Sequence, residues 1–202
     1  DWTGGEDALV ARIGAAAPAG GITVVSGSLP PGVAPDLPRR VAAALGGVTR
    51  LVLDTSGAPL ADLAARAVPG LEMLRMDEGE AAALAGGALD TPGQTLAFAR
   101  GLVARGVARQ VVVARGADGS VLATGAGAWS CVPPRVPVVS TVGAGDSYLG
   151  AHLLALARGA APPEALRAGV AAAAAAVMTG ATDLCRREDA ERLIGECVVE
   201  RL

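Results

Sequence analysis

Ser140-Thr141-Val142-Gly143-Ala144-Gly145-Asp146-Ser147 stands between an extended, proline-rich approach, PPRVPVV at 133–139, and a long apolar segment of helical period. The glycines let backbone N–H groups converge. A turn of this kind opening a helix N-terminus makes an anion hole, because the first amides lack intrahelical acceptors and the helix dipole favours negative charge. A phosphoryl group suits that field. An aspartate in the first helical turn then stands beside the hole, able to take a proton from an attacking hydroxyl while the amides stabilise the transferred charge. The plainer alternative stays open at this point: Asp146 caps a helix and the glycines make a turn. A dinucleotide fingerprint fits worse. Its third glycine belongs at position 148, which is Tyr148, and Gly150 comes too late.

Outward from that stretch, short β-branched runs alternate with alanine-rich stretches of helical period, the form taken by repeated strand-helix units around a mostly parallel sheet. Strands are expected at 22–26, 50–54, 71–74 and 110–114, and helices near 6–17, 35–45, 59–67, 78–84 and 94–105. A hairpin follows, SVLAT then AWSCV, with glycines at 125 and 127 permitting the reversal. Beyond Gly143 three successive helices are expected, at 143–158, 162–178 and 188–199.

The 202 residues and 51% hydrophobic content are enough for one compact domain, and with 2% aromatic residues the core must be built from Val, Leu, Ile and Ala. A net charge of -3 argues against a sequence-independent nucleic-acid surface. All 17 basic residues are arginine, which excludes the Walker A lysine and Schiff-base chemistry. Cys131, Cys185 and Cys197 are odd in number and in no CxxC arrangement, so neither a disulfide framework nor a zinc site is indicated and a reducing, cytoplasmic setting is expected. The apolar stretch 168–182 is shorter than the roughly 20 residues a spanning helix needs, and the N-terminus has no signal-peptide pattern, so no membrane association is expected. His152, six residues beyond Asp146, points to another helix face and reads as a packing residue, as do Trp2 and Trp129. Arg186-Arg187 reads as a solvated face.

STVGAGDS, SGSLPPG at 26–32, the acidic D-x-x-E at 77–80, VVVARGADG at 111–119 and TGATDLC at 179–185 together resemble, in order, the ribokinase-like sugar kinases. The resemblance spans nearly the whole chain and is nearest to the branch that contains the minor (B-type) 6-phosphofructokinase, 1-phosphofructokinase and tagatose-6-phosphate kinase. It implies a ribokinase-like three-layer α/β/α sandwich around a mostly parallel sheet. The N-terminal strands and β lid are expected to be missing, so that residues 1–202 form one incomplete kinase domain, with a homodimer expected for a full-length form. It also implies ATP-dependent phosphorylation of a hydroxyl on a phosphorylated ketohexose, with Asp146 as the base and Gly143, Ala144 and Gly145 as the anion hole. By the same resemblance Gly27 and Ser28 face the sugar phosphate and Glu80 organises Mg2+ through water. Gly116 and Gly119 lie along the nucleotide, Thr141 and helix 170–178 border its adenine and phosphates, and carbonyls near Ser140, Val142, Ala176, Thr179 and Ala181 hold a monovalent cation such as K+.

Five positions depart from the family pattern. Arg75-Met76-Asp77 replaces Lys-Pro-Asn, Ala114 stands where a phosphate-binding hydroxyl is common, and Asp183 replaces a residue commonly arginine in this branch. Arg75, Asp77 and Ala114 are still expected at the nucleotide. The extra charge of Asp77 either tightens metal binding or repels nucleotide, and the lost hydroxyl at Ala114 forfeits about 0.5–1.5 kcal/mol. The competing reading is a truncated or diverged module that binds nucleotide without sugar kinase activity of its own.

Overall fold

The computed structural model describes residues 5–181 and 183–202. Trp2, and Thr182 of the TGATDLC segment, lie outside the described residues. The architecture is α/β, in two compact units: one extends to Ala114 and includes Ala123–Ala126, the other comprises Arg115–Leu122 and Gly127–Leu202.

In the first unit, strands β1 (Ile22–Ser26), β2 (Arg50–Asp54), β3 (Met73–Asp77) and β4 (Gln110–Ala114) pair in chain order, all parallel. Leu51, Val52 and Leu53, then Met73, Leu74 and Met76, then Val111, Val112 and Val113 are buried. Unbroken apolar runs of this kind mark strands covered on both faces, which is why they pair in parallel through helical crossovers. Those crossovers are α2 (Leu37–Leu45), α3 (Gly57–Ala65), α4 (Glu78–Ala85) and α5 (Pro92–Ala104), preceded by α1 (Glu6–Ala16). Helix α2 buries Leu37, Val41 and Leu45, one stripe at four-residue spacing. Helix α5 starts with a reciprocal cap in which Gln94 N–H donates to Thr91 Oγ1 and Thr91 N–H to Gln94 Oε1. The sequence places the third strand at 71–74, whereas the structure carries it to Asp77: Met76 is wholly buried and pairs with Val113 in β4. Asp77 is thereby the last residue of β3, and Arg75 lies at the middle of the strand.

The second unit contains a 3-10 turn at Gly116–Asp118, β6 (Gly127–Val132), helices α6 (Ala144–Ala157), α7 (Pro162–Ala176) and α8 (Arg187–Ile194), and β7 (Val198–Arg201). Strand β5 (Ser120–Thr124) begins in this unit and ends in the first. The final expected helix is shorter than the sequence suggests. It stops at Ile194, where Glu196 and Cys197 N–H groups close back on Leu193 O, and β-branched Val198 and Val199 enter a strand antiparallel to β6.

Helix α7 buries small and aliphatic residues along its length, Ala165, Leu166, Gly169 and Val170 and then most of its alanine run, and its glycine accepts a ring: a Cβ on Gly169 would stand 2.7 Å from Tyr148 Cε2 of α6. The Tyr148 hydroxyl is 3.1 Å from His152 Nδ1 one helical turn on, and both side chains are buried. Burial pulls the His152 imidazole down to about 4. Because the folded value lies below the unfolded one, the stability from keeping this ring neutral is complete above pH about 6.5 and is lost as pH falls through about 4, up to about 3 kcal/mol. Urea unfolding at a series of pH values across that window should show the loss, and the double variant Tyr148→Phe/His152→Leu should show a shallower slope. Equal slopes in the two proteins would refute this assignment.

Candidate active site

The stretch read first from the sequence forms a helix mouth in the second unit. Gly143 is the N-cap of α6 at φ 80, a left-handed conformation that a side chain disfavours, and it supplies no side-chain cap. The first helical bond runs from Ser147 N–H to Gly143 O at 2.9 Å, while Ala144 N–H reaches Thr141 O only at 3.4 Å. The N–H groups of Ala144, Gly145 and Asp146 therefore make up the turn whose donors a helix leaves without intrahelical acceptors. Asp146 is exposed in that turn, as is Thr141 just before it. The approach is tied down from behind: Val139 and Ser140 N–H both donate to Val177 O at the end of α7, and Val142 N–H donates to Ser140 Oγ.

A second loop of the same unit, residues 115–119, is held by Arg115 N–H to Gly119 O at 2.7 Å and Gly119 N–H to Gly116 O at 3.1 Å. Its two glycines differ in surroundings. Gly116 is exposed, whereas Gly119 is buried against the β6 backbone, where a Cβ would fall 1.9 Å from Cys131 O.

In the first unit the register aligns Ser26, Asp54 and Arg75 across β1–β3, and Asp77 with Ala114 across β3–β4. Ser26, Asp54, Asp77 and Ala114 close their strands, and the carboxyl ends of parallel strands are where α/β sheets hold ligands. Gly27 and Ser28 follow β1 and are exposed; Gly27 N–H donates to Asp54 O at 2.8 Å and its carbonyl accepts from Thr55 Oγ1 at 3.1 Å. Arg75 Nη1 grips both oxygens of Asp54, at 2.9 and 3.1 Å. The positive charge expected at the nucleotide thus already balances a carboxylate. Asp54 and Thr55 were missed from the sequence; the only signal available was an acidic residue closing an apolar strand.

Asp77 and Glu80 cap α4 reciprocally: Glu80 N–H donates to Asp77 Oδ1 and Asp77 N–H to Glu80 Oε2, each at 2.8 Å. Burial, helped by the charges of Asp77 and Asp54, holds the Glu80 carboxyl above the ordinary range, against the Asp77 N–H bond and Arg75. Among the described residues no group of three His, Cys, Asp or Glu side chains forms a metal cage. The donor set nevertheless fits a hydrated Mg2+, which uses one or two carboxylates plus substrate phosphates. Glu80→Gln separates capping from charge, since an amide oxygen still accepts the Asp77 N–H bond. The variant should keep or raise the thermal midpoint at neutral pH, because a carboxyl with a raised folded value contributes stability that is lost as pH rises through that value. It should also weaken the Mg2+ dependence of nucleotide binding, measured by calorimetry.

This is an α/β protein whose first unit carries Asp54 and Asp77 at the ends of parallel strands and whose second unit opens α6 without a side-chain cap, with Asp146 in the first turn. Residues 12–189 match the model of the pfkB family of carbohydrate kinases. The chain belongs to that family. It is 38% identical over 175 residues to the ATP-dependent 6-phosphofructokinase isozyme 2 of Escherichia coli, covering 86% of this chain and 56% of the relative. Against the Mycobacterium tuberculosis protein of the same name, identity is 41% over 182 residues, 89% of this chain and 52% of the relative. The crystal structure of phosphofructokinase-2 from Escherichia coli in complex with substrates and products superposes with a TM-score of 0.85 at 34% identity, covering 94% of this chain and 61% of that one. This chain therefore spans a little over half the length of these curated relatives. Within the described residues no helix is long and apolar enough to cross a membrane.

Proposed function

We propose that this chain, acting as one kinase domain over residues 1–202, serves ATP-dependent phosphorylation of a hydroxyl on a phosphorylated ketohexose. The observation that carries the reading is the mouth of α6, where glycine-opened amides without a side-chain cap stand beside the exposed carboxylate of Asp146. Asp146 takes the proton of the attacking hydroxyl as its oxygen bonds to the γ-phosphorus. The β–γ bridging oxygen leaves with ADP, and the amides of Gly143, Ala144 and Gly145 face the charge on the transferred group. Gly27 and Ser28 receive the phosphate the sugar already carries. Gly116, Gly119, Thr141, Arg75, Asp77 and Ala114 border the nucleotide, with Gly116 the better placed of the two loop glycines for direct contact because Gly119 is buried.

Glu80, with Asp77, would hold Mg2+ through water, and the ion when bound neutralises charge on the triphosphate. A monovalent cation belongs to the same proposal, supported by the Escherichia coli phosphofructokinase-2 crystallised in complex with potassium. Of the expected donors, the Ala176 carbonyl already accepts both the N–H and the Oγ1 of Thr179, which argues against its participation. Self-association, expected as a homodimer, gains support from the tetrameric inhibited form of that neighbour. A cytoplasmic setting follows from the proposed substrates.

An ADP-release assay on the whole gene product, with fructose 6-phosphate, fructose 1-phosphate and tagatose 6-phosphate in turn, tests the proposal. Turnover with at least one of them is expected. No ATP-dependent turnover with any would reject it in favour of a nucleotide-binding module.

A further inference from the structure

Cys131 and Cys197 are far apart in sequence, and the second unit brings them together. Register in the β6–β7 pair sets Cys131 opposite Val199 and Val132 opposite Val198. Cys197, one step before β7, therefore shares a face with Val199 and is the diagonal neighbour of Cys131. That face lies against α7, which packs on both strands. The two thiols are hydrogen-bonded to one another and neither is in a disulfide.

We propose that Cys131 and Cys197 are a reversible disulfide site, closed when the folded protein meets a hydroperoxide. Accessibility assigns the roles: Cys131 has no exposed surface, whereas Cys197 retains 6% at the junction after α8. Chemistry assigns them the same way. The Cys131 hydrogen bond, assisted by the Arg167 guanidinium on α7, draws the Cys197 thiol below its ordinary value against burial and Glu196, and donating that bond, together with burial, pushes Cys131 up. Cys197 is thus the thiol that ionises more readily and attacks first, and Cys131 the waiting thiol. The Cys197 sulfur attacks one peroxide oxygen, the O–O bond breaks, and a sulfenic acid and hydroxide (or alkoxide) form. Cys131 then attacks the sulfenic sulfur, the S–O bond breaks, and a disulfide and water result; the two thiols are oxidised by two electrons and the peroxide is reduced. The new bond closes a covalent ring around the helix mouth, α6, α7 and α8, so it also restricts the unfolded chain.

The test uses the folded chain, hydrogen peroxide, alkylation of remaining thiols and non-reducing tryptic mapping. Cleavage at arginine puts Cys131 in peptide 116–135, Cys197 in 193–201 and Cys185 in 168–186. The expected product joins 116–135 to 193–201 within one chain, reverts with dithiothreitol, persists in Cys185→Ser and vanishes in Cys197→Ser, with a higher thermal midpoint for the oxidised wild type. A bridge to Cys185, an intermolecular bridge, over-oxidation of Cys197 without a bridge, or no oxidation of Cys197 would each overturn the proposal. The wild-type map alone decides it if a cysteine variant does not fold.

Discussion

Asp146→Asn should lower kcat for sugar phosphorylation by about a hundred- to ten-thousand-fold, the usual worth of a positioned general base. An amide occupies the same volume and has no basic oxygen of comparable strength, so the acceptor hydroxyl keeps its proton as it attacks. Substrate KM should change little, because the carboxylate acts on a proton that moves during the reaction rather than on ground-state binding. The residue is exposed in the first turn of α6, so the thermal midpoint should stay close to that of wild type. Steady-state kinetics and thermal unfolding of the same preparation supply both readings. Turnover reduced by less than about tenfold would remove Asp146 from the chemistry; a capping role is not its alternative, because Gly143 is the N-cap and the helix has no side-chain cap.

Gly119→Ala should destabilise the fold by about 2–5 kcal/mol, combining the cost of a left-handed conformation with overpacking. Its φ is +85, and the added methyl would fall 1.9 Å from Cys131 O and 2.9 Å from Val132 Cα, both backbone atoms of β6 that cannot rotate aside. Gly116 provides the control in the same loop. Its φ is +56, yet nothing lies within 4 Å of a Cβ there, so Gly116→Ala should cost about 1–2 kcal/mol from conformation alone. Urea unfolding of the two variants side by side gives the comparison. If Gly116→Ala were the more damaging, the loop would be limited by something other than its approach to β6. For function the distinction separates a glycine required by packing from one open to a ligand.

Much of this protein was legible before its coordinates. Alternating apolar runs and alanine-rich helical stretches placed β1, β2 and β4 at the bounds observed and indicated the parallel α/β arrangement. The glycine-bracketed stretch 140–147 announced a helix opening with an aspartate in its first turn. Those features are local: a turn that demands positive φ, a cap and a hydrophobic period each act over a few residues, so each leaves its mark in a short window of sequence. Tertiary structure decided what depends on distant partners. Burial between β2 and β4 carried β3 on to Asp77, and pairing with β6 turned the last residues into a strand after α8 had ended. The ion pair of Arg75 with Asp54, the different surroundings of Gly116 and Gly119, and the meeting of Cys131 with Cys197 have no local signature. Their energies come from groups that approach only when separate strands and helices pack, and no spacing along the chain encodes that approach.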